Sequence, residues 1–223
     1  TMVHLGGDEA PTELWKKCPL CREARTKAGM KDEQEQMRAF FAKMTALLDK
    51  NGQTPQFWYE GNAGIYHPGE TVYAWRQDQA RQAIEKTKKA GLNLIMASNE
   101  YCYLDFPQFP GQYNWGWMQT TTLQKCYELD PAFGKSTAEA GHILGVHAPV
   151  WAEHLPDLNH LLYRVYPRAM ALAEAGWSPM EVRSWENFQR KVADHRPFVL
   201  KRFNYDLKRT KDNEPPFRWE NKK

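Results

Sequence analysis

The chain has 223 residues, 42% of them hydrophobic, and its 30 basic and 27 acidic side chains leave a formal charge of +3 with histidines neutral. That balance excludes a protein that coats a polyanion such as nucleic acid. A mean hydropathy of −0.75, with no apolar run near the roughly 20 residues of a spanning helix, predicts a soluble chain that does not cross a bilayer.

In chain order, Met2-Val3-His4-Leu5 before Gly6-Gly7 reads as a short strand ending in a turn, with Asp8 and Glu9 at its tip. Because Thr1 precedes Met2 and a buried strand follows within a few residues, the natural start is expected to lie upstream. Residues 12–30 read as a polar excursion. Met37, Phe40, Phe41, Met44, Leu47 and Leu48 recur at helical spacing and predict a helix over 33–48, with Gly52 beyond its end. Residues 56–59 and 71–75 read as two short strands, each carrying a tryptophan near its end (Trp58, Trp75).

A helix over 77–90 closes at Gly91, and 92–97 is a further apolar strand. The aromatic stretch 99–120 is too long for a simple connector, and loops of that length usually bind something. A short helix is expected over 121–129, an apolar strand within 143–151 ending at Ala152-Glu153, a helix over 157–175, and a last helix over about 180–194 with a continuation into a charged tail. Strand and helix alternate, with functional residue types at strand ends, which is the rhythm of a (β/α) barrel. Five strands are counted rather than eight. The chain is therefore expected to supply roughly the last five strands of a TIM barrel and a C-terminal helix, the other strands lying on another chain or segment, since an open half would expose strand edges.

His4-x-Gly6-Gly7-Asp8-Glu9 is the sharpest local pattern. Glycines let a ligand approach the backbone, and consecutive acids on an extended segment point to opposite sides, so one carboxyl is free to protonate while its neighbour orients. The plain alternative is a Gly-Gly turn carrying two solvated acids. A GGDE tetrapeptide also occurs in nucleotide cyclases of the GGDEF type, but Ala10 stands where those have phenylalanine, and no phosphate- or magnesium-binding pattern accompanies it.

Further along stand Trp15-Lys16-Lys17-Cys18 to Cys21, Trp58-Tyr59-Glu60, Trp75-Arg76, Tyr103-Leu104-Asp105, Trp117 followed by Leu123 and Tyr127, and Trp151-Ala152-Glu153. In this order and spacing, together with His4 to Glu9, they resemble glycoside hydrolase family 20, the β-N-acetylhexosaminidases. The likeness covers most of residues 1–177, leaving 178–207 as a C-terminal helical segment and 208–223 as a charged tail.

The resemblance implies exo-hydrolysis of terminal β-linked N-acetylhexosamine from a glycan. The reaction would run by a substrate-assisted retaining mechanism through an oxazolinium ion, one of the exceptions to the two-carboxylate scheme of glycosidases. It assigns Glu9 as general acid and then base, Asp8 as the acceptor that orients the acetamido N–H and stabilises the developing positive charge, and Tyr103 as the hydroxyl holding the acetamido oxygen. Trp58, Trp75 and Trp151 would wall the acetamido pocket and sugar floor, and Trp117 would cover the site, with Trp115 as its rival. Asp105 and Glu153 would accept the 4- and 6-hydroxyls, and His4 would support the acid pair from beneath.

No cofactor is implied, and no metal: Cys18-Pro19-Leu20-Cys21 has no second pair at zinc spacing, leaving a local disulfide or free thiols. His142, His147, His154 and His160 show no ligand pattern.

The sequence departs from the family pattern in three places. The arginine that in the family grips the 3- and 4-hydroxyls from the first barrel strand is not among these residues. Tyr59 stands where Asp is common, and the rim loop 106–117 is rich in Pro, Gln and aromatics, which leaves linkage preference open. Two other activities fit the same residues: release of a disaccharide in the manner of a lacto-N-biosidase, and sugar binding without turnover by an incomplete barrel. For location the resemblance implies export to periplasm or exterior, or a lysosome.

Overall fold

A computed structural model describes residues 1–112, 114 and 116–203, the side chains of His154 and Phe203 excepted. The charged tail over 208–223 and the rival Trp115 lie outside the described residues. Five strands form one sheet in chain order: β1 (Met2–His4), β2 (Thr54–Trp58), β3 (Thr71–Ala74), β4 (Asn93–Met96) and β5 (Ile143–Val146). β1 through β4 pair in parallel, with His4 beside Gln56, Trp58 beside Tyr73, and Ala74 beside Met96. β1 reaches β2, and β3 reaches β4, through helices, whereas β2 reaches β3 through a loop holding a 3₁₀ turn over Ala63–Ile65; parallel neighbours in sequence order are the arrangement from which a TIM barrel is built. The chain divides into two compact units, residues 1–96 with 135–144, and residues 97–134 with 145 onward.

In the first unit β2 and β3 are buried along almost their whole length, as strands covered on both faces must be. Helix α1 (Glu13–Lys17) and helix α2 (Pro19–Lys27) occupy the stretch that reads as a polar excursion; both are mostly polar in composition and neither buries a residue. Helix α3 (Glu33–Asp49) starts where the Asp32 carboxylate accepts the Glu35 N–H at 2.9 Å, and it buries Met37 and Phe41. Phe41 meets Phe57 of β2 with ring centroids 4.6 Å apart. An ion pair of 3.0 Å between Arg25 and Glu33, each side chain only about one-seventh exposed, ties α2 to α3.

Helix α4 (Gln77–Lys89) buries Ala80, Ala83, Ile84 and Thr87, an i, i+3, i+4, i+7 stripe facing the sheet. Helix α5 (Leu123–Tyr127) belongs to the second unit, and the chain returns to the first through helix α6 (Thr137–Ala140), just ahead of β5. The Thr87 hydroxyl lies 2.9 Å from Nε2 of His142, and the Leu94 N–H donates to the His142 carbonyl at 3.0 Å, fixing the entry to β5.

Besides α5, the second unit holds α7 (Leu158–Val165), α8 (Arg168–Trp177) and α9 (Trp185–Phe203). The single helix expected over 157–175 is two helices. Pro167 has no N–H to continue the ladder and its ring would strike the carbonyl one turn back, so α7 ends at Val165 and α8 restarts at Arg168. The last helix begins at Trp185 rather than near 180, after a 3₁₀ turn over Met180–Val182. No helix among the described residues is long and apolar enough to cross a membrane.

Candidate active site

The first unit gathers His4, Asp8, Glu9, Trp58 and Trp75 around the tips of β1, β2 and β3. After β1 the chain turns through Gly6 (φ 73°) and Gly7 (φ 98°), and Glu9 itself has φ 49°, a left-handed conformation uncommon for a residue with a side chain. The turn is pinned from both sides. The Gly6 N–H donates to Nδ1 of His4 at 3.1 Å, and the Trp58 N–H donates to the Gly6 carbonyl at 2.9 Å. His4 presses its ring against Trp58 and Tyr73, with both centroids 4.8 Å away.

Asp8 is half-buried and Glu9 exposed. Trp58 is buried, and its carbonyl accepts the Tyr66 hydroxyl at 2.6 Å. Burial pushes that hydroxyl well above the ordinary tyrosine range. Trp75 donates its indole N–H to Glu60 at 2.8 Å, and Arg76 donates to Glu60 and to Glu9, each at 3.3 Å. A cleft of about 120 Å³ opens beside Glu9, lined by polar Thr12, Gln34, Glu60 and Asn62 and by apolar Met37 and Ile65. Neither Trp58 nor Trp75 lines this cleft, so the flat indole faces suited to a sugar lie outside it.

The second unit gathers Tyr103, Asp105, Trp117, Trp151 and Glu153. Tyr103 is buried, its ring edge-on to Phe106 at 5.3 Å and tilted against Trp151 at 6.4 Å. Trp151 is 37% exposed and Trp117 61%, the latter resting edge-on against Phe106 at 5.5 Å. Asp105 is 2% exposed, and neither of its carboxylate oxygens meets a donor at full hydrogen-bond geometry among the described residues. Burial pushes its pKa up to about 6, with the backbone amides of Asp105 and Trp151 giving partial relief and Glu153 adding to the rise. A buried carboxylate with unmet oxygens is an acceptor suited to hydroxyl donors.

The residues that hold this second group were not singled out from the sequence. Arg168 is wholly buried and donates to three backbone carbonyls: Thr121 at 2.8 Å, Leu104 at 2.6 Å, and Arg164 at 2.6 and 3.0 Å. Burial brings it down to about 10, so it remains a cation at neutral pH. Gln108 and Gln112 pin the aromatic loop to α7, donating to the carbonyl and hydroxyl of Tyr163 at 2.7 and 2.8 Å. Glutamines in an aromatic stretch were the available signal, but nothing local tells a buried amide from a solvated one.

All four cysteines are free thiols. The Cys21 N–H donates to Sγ of Cys18 at 3.3 Å at the start of α2, and hydrogen bonding from Cys21 lowers the Cys18 thiol from its ordinary value. Among the described residues no group of three or more His, Cys, Asp or Glu side chains could hold a metal ion.

Compared with known proteins, residues 1–180 match the profile of glycosyl hydrolase family 20, catalytic domain. The chain is 84% identical over 222 residues to a β-hexosaminidase of Akkermansia muciniphila, covering 100% of this chain and 45% of that protein. Among solved structures it resembles a β-N-acetylhexosaminidase, with a TM-score of 0.95 and 84% identity over 98% of this chain and 47% of that one. It also resembles the family 20 exo-β-N-acetylglucosaminidase of Vibrio harveyi in complex with N-acetylglucosamine, with a TM-score of 0.78 and 25% identity, covering 89% of this chain and 31% of that one. The chain spans less than half the length of these relatives.

Proposed function

The chain belongs to glycosyl hydrolase family 20, as part of its catalytic (β/α) barrel, and on that premise we propose that it carries the acid pair of a β-N-acetylhexosaminidase. The enzyme removes terminal β-linked N-acetylhexosamine from glycans, and the other strands of the barrel come from the rest of the protein. The observation that carries this reading is the Asp8-Glu9 pair on the glycine turn past the tip of β1, with Trp58 at the end of β2, its N–H bonded to that turn, and Trp75 just past β3.

In this reading the substrate supplies its own nucleophile. Glu9 donates a proton to the glycosidic oxygen as the acetamido oxygen attacks the anomeric carbon, and the aglycone leaves with that proton. Asp8 accepts the acetamido N–H and offsets the positive charge of the oxazolinium ring, while the Tyr103 hydroxyl donates to the acetamido oxygen and aligns it. Glu9, now a carboxylate, takes a proton from water as the water opens the ring with net retention. Trp58, Trp75 and Trp151 pack on the apolar faces of sugar and acetamide, and Asp105 and Glu153 accept ring hydroxyls. The exposed Trp117 closes over the bound sugar.

The test is Glu9→Gln in the intact protein with an aryl N-acetyl-β-glucosaminide. Turnover is expected to fall by a factor of about 10² to 10⁴, and N-acetylglucosamine thiazoline, a mimic of the oxazolinium ring, is expected to compete with substrate. Near-normal turnover by the variant would sink the reading.

A further inference from the structure

Two side chains that the mechanism above leaves idle connect the acid to the pocket wall. Glu60 lies two residues beyond Trp58 and Arg76 one beyond Trp75; the parallel register of β2 and β3 sets Trp58 beside Tyr73, and just past it the Tyr59 N–H donates to the Tyr73 carbonyl at 2.9 Å. The Glu60 carboxylate is divided: one oxygen accepts the Trp75 indole N–H at 2.8 Å, the other accepts Nε of Arg76 at 3.3 Å. The guanidinium then lies 4.2 Å over the Trp75 ring and donates through Nη2 to Oε1 of Glu9 at 3.3 Å.

Exposure decides what such a chain can do. Glu9 is 66% exposed at its side chain, against 32% for Arg76 and 22% for Glu60. An ion pair to so open a carboxyl adds little to stability. It does restrict geometry, because a glutamate has three side-chain torsions and the tail of this one is otherwise in solvent. Arginine is well suited to such a hold, since its guanidinium stays charged and donates without offering a competing proton.

We propose that Glu60 and Arg76 are positioning residues for the acid step. Glu60 holds the guanidinium against Trp75, and the guanidinium occupies one oxygen of Glu9, so the proton given to the glycosidic oxygen is carried by the other. The wall of the acetamido pocket and the aim of the acid are thereby set by one carboxylate. This rests on the reading of Glu9 as general acid.

The test is a leaving-group series of aryl N-acetyl-β-glucosaminides on the intact protein and on Arg76→Gln, Arg76→Lys and Glu60→Gln, with thermal melting to confirm folding. A misaimed acid matters only when the departing oxygen needs a proton. For the p-methoxyphenyl glycoside kcat/KM is therefore expected to drop about 10- to 100-fold in Arg76→Gln and Glu60→Gln, part of the contribution of a well-placed acid. The 2,4-dinitrophenyl glycoside should lose less than about threefold, since its departing oxygen hardly needs protonation. Arg76→Lys, which keeps a donor and a charge, should recover part of the loss. Equal losses on both glycosides would overturn the proposal in favour of a structural role, and so would no loss on either. If Glu9→Gln shows leaving-group dependence and the Arg76 variants do not, only this inference fails. If Glu9→Gln turns over normally, the reading beneath it fails.

Discussion

Gly7 stands flush against Phe41: a Cβ built on Gly7 would lie 2.9 Å from Cζ of the phenylalanine ring. Phe41 is itself packed on Phe57 at 4.6 Å and Tyr66 at 6.0 Å between ring centroids, which limits how far it can shift. The glycine that precedes the acid pair is thus required twice, by this contact and by its φ of 98°.

Gly7→Ala is therefore expected to destabilise the protein by about 2–4 kcal/mol, joining backbone strain to overpacking. Gly29 offers the comparison. It too has positive φ, 66°, but nothing lies within 4 Å of its Cβ position. Gly29→Ala should show only the left-handed penalty, about 1 kcal/mol. Urea unfolding of both variants checks the difference, and equal losses would mean that the Phe41 contact relaxes freely.

Arg168 holds the second group of candidate residues through the carbonyls of Leu104, within the aromatic stretch, and Thr121, just after it. Arg168→Lys keeps a charge but cannot span three acceptors with one ammonium, and it leaves buried carbonyls unmet. A loss of about 3–5 kcal/mol is expected, in the range for breaking a buried charged network. Hydrogen exchange gives the sharper readout: amides of 104 and 121 should lose protection before those of β3. Uniform loss would show that the arginine serves the unit as a whole rather than the loop.

Asp105 gives a pH dependence with a definite sign. A carboxyl raised by burial from its ordinary 3.8 to about 6 binds its proton more tightly when folded than when unfolded. Between those values the folded chain holds more protons, so stability falls as pH rises through the window, and the full cost is present above about pH 6. The difference corresponds to about 3 kcal/mol. In Asp105→Asn that pH-linked cost disappears. The stability of the variant relative to the parent should rise by up to about 3 kcal/mol between pH 3.5 and 7, followed by chemical denaturation at each pH. A flat difference would mean that Asp105 meets a donor in solution.

Much of the backbone was legible in the chain. The buried strands at Thr54–Trp58 and Thr71–Ala74, the periodic helix from Glu33 and the apolar stripe of α4 all follow from side chains that must leave water at the period of their own backbone. The break at Pro167, which a helix drawn through 157–175 overlooks, has a local cause in the missing donor, but Pro197 lies inside α9, so a proline alone does not decide where a helix ends. The glycine turn that carries Asp8 and Glu9 could likewise be located from sequence, because strand tips and glycine turns are local features.

What the sequence by itself determined was the alternation of strand and helix and the types of residue at the strand tips. Tertiary structure alone decided their partners. Helices α1 and α2 are mostly polar and bury nothing, and Trp117, read as a lid, stands 61% exposed on Phe106. Glu60, Arg76 and Arg168 read in the chain like any charged residues. A charge becomes a clamp only when distant backbone or a second strand closes around it, and hydropathy along one chain records the cost of leaving water but not the group that offsets it.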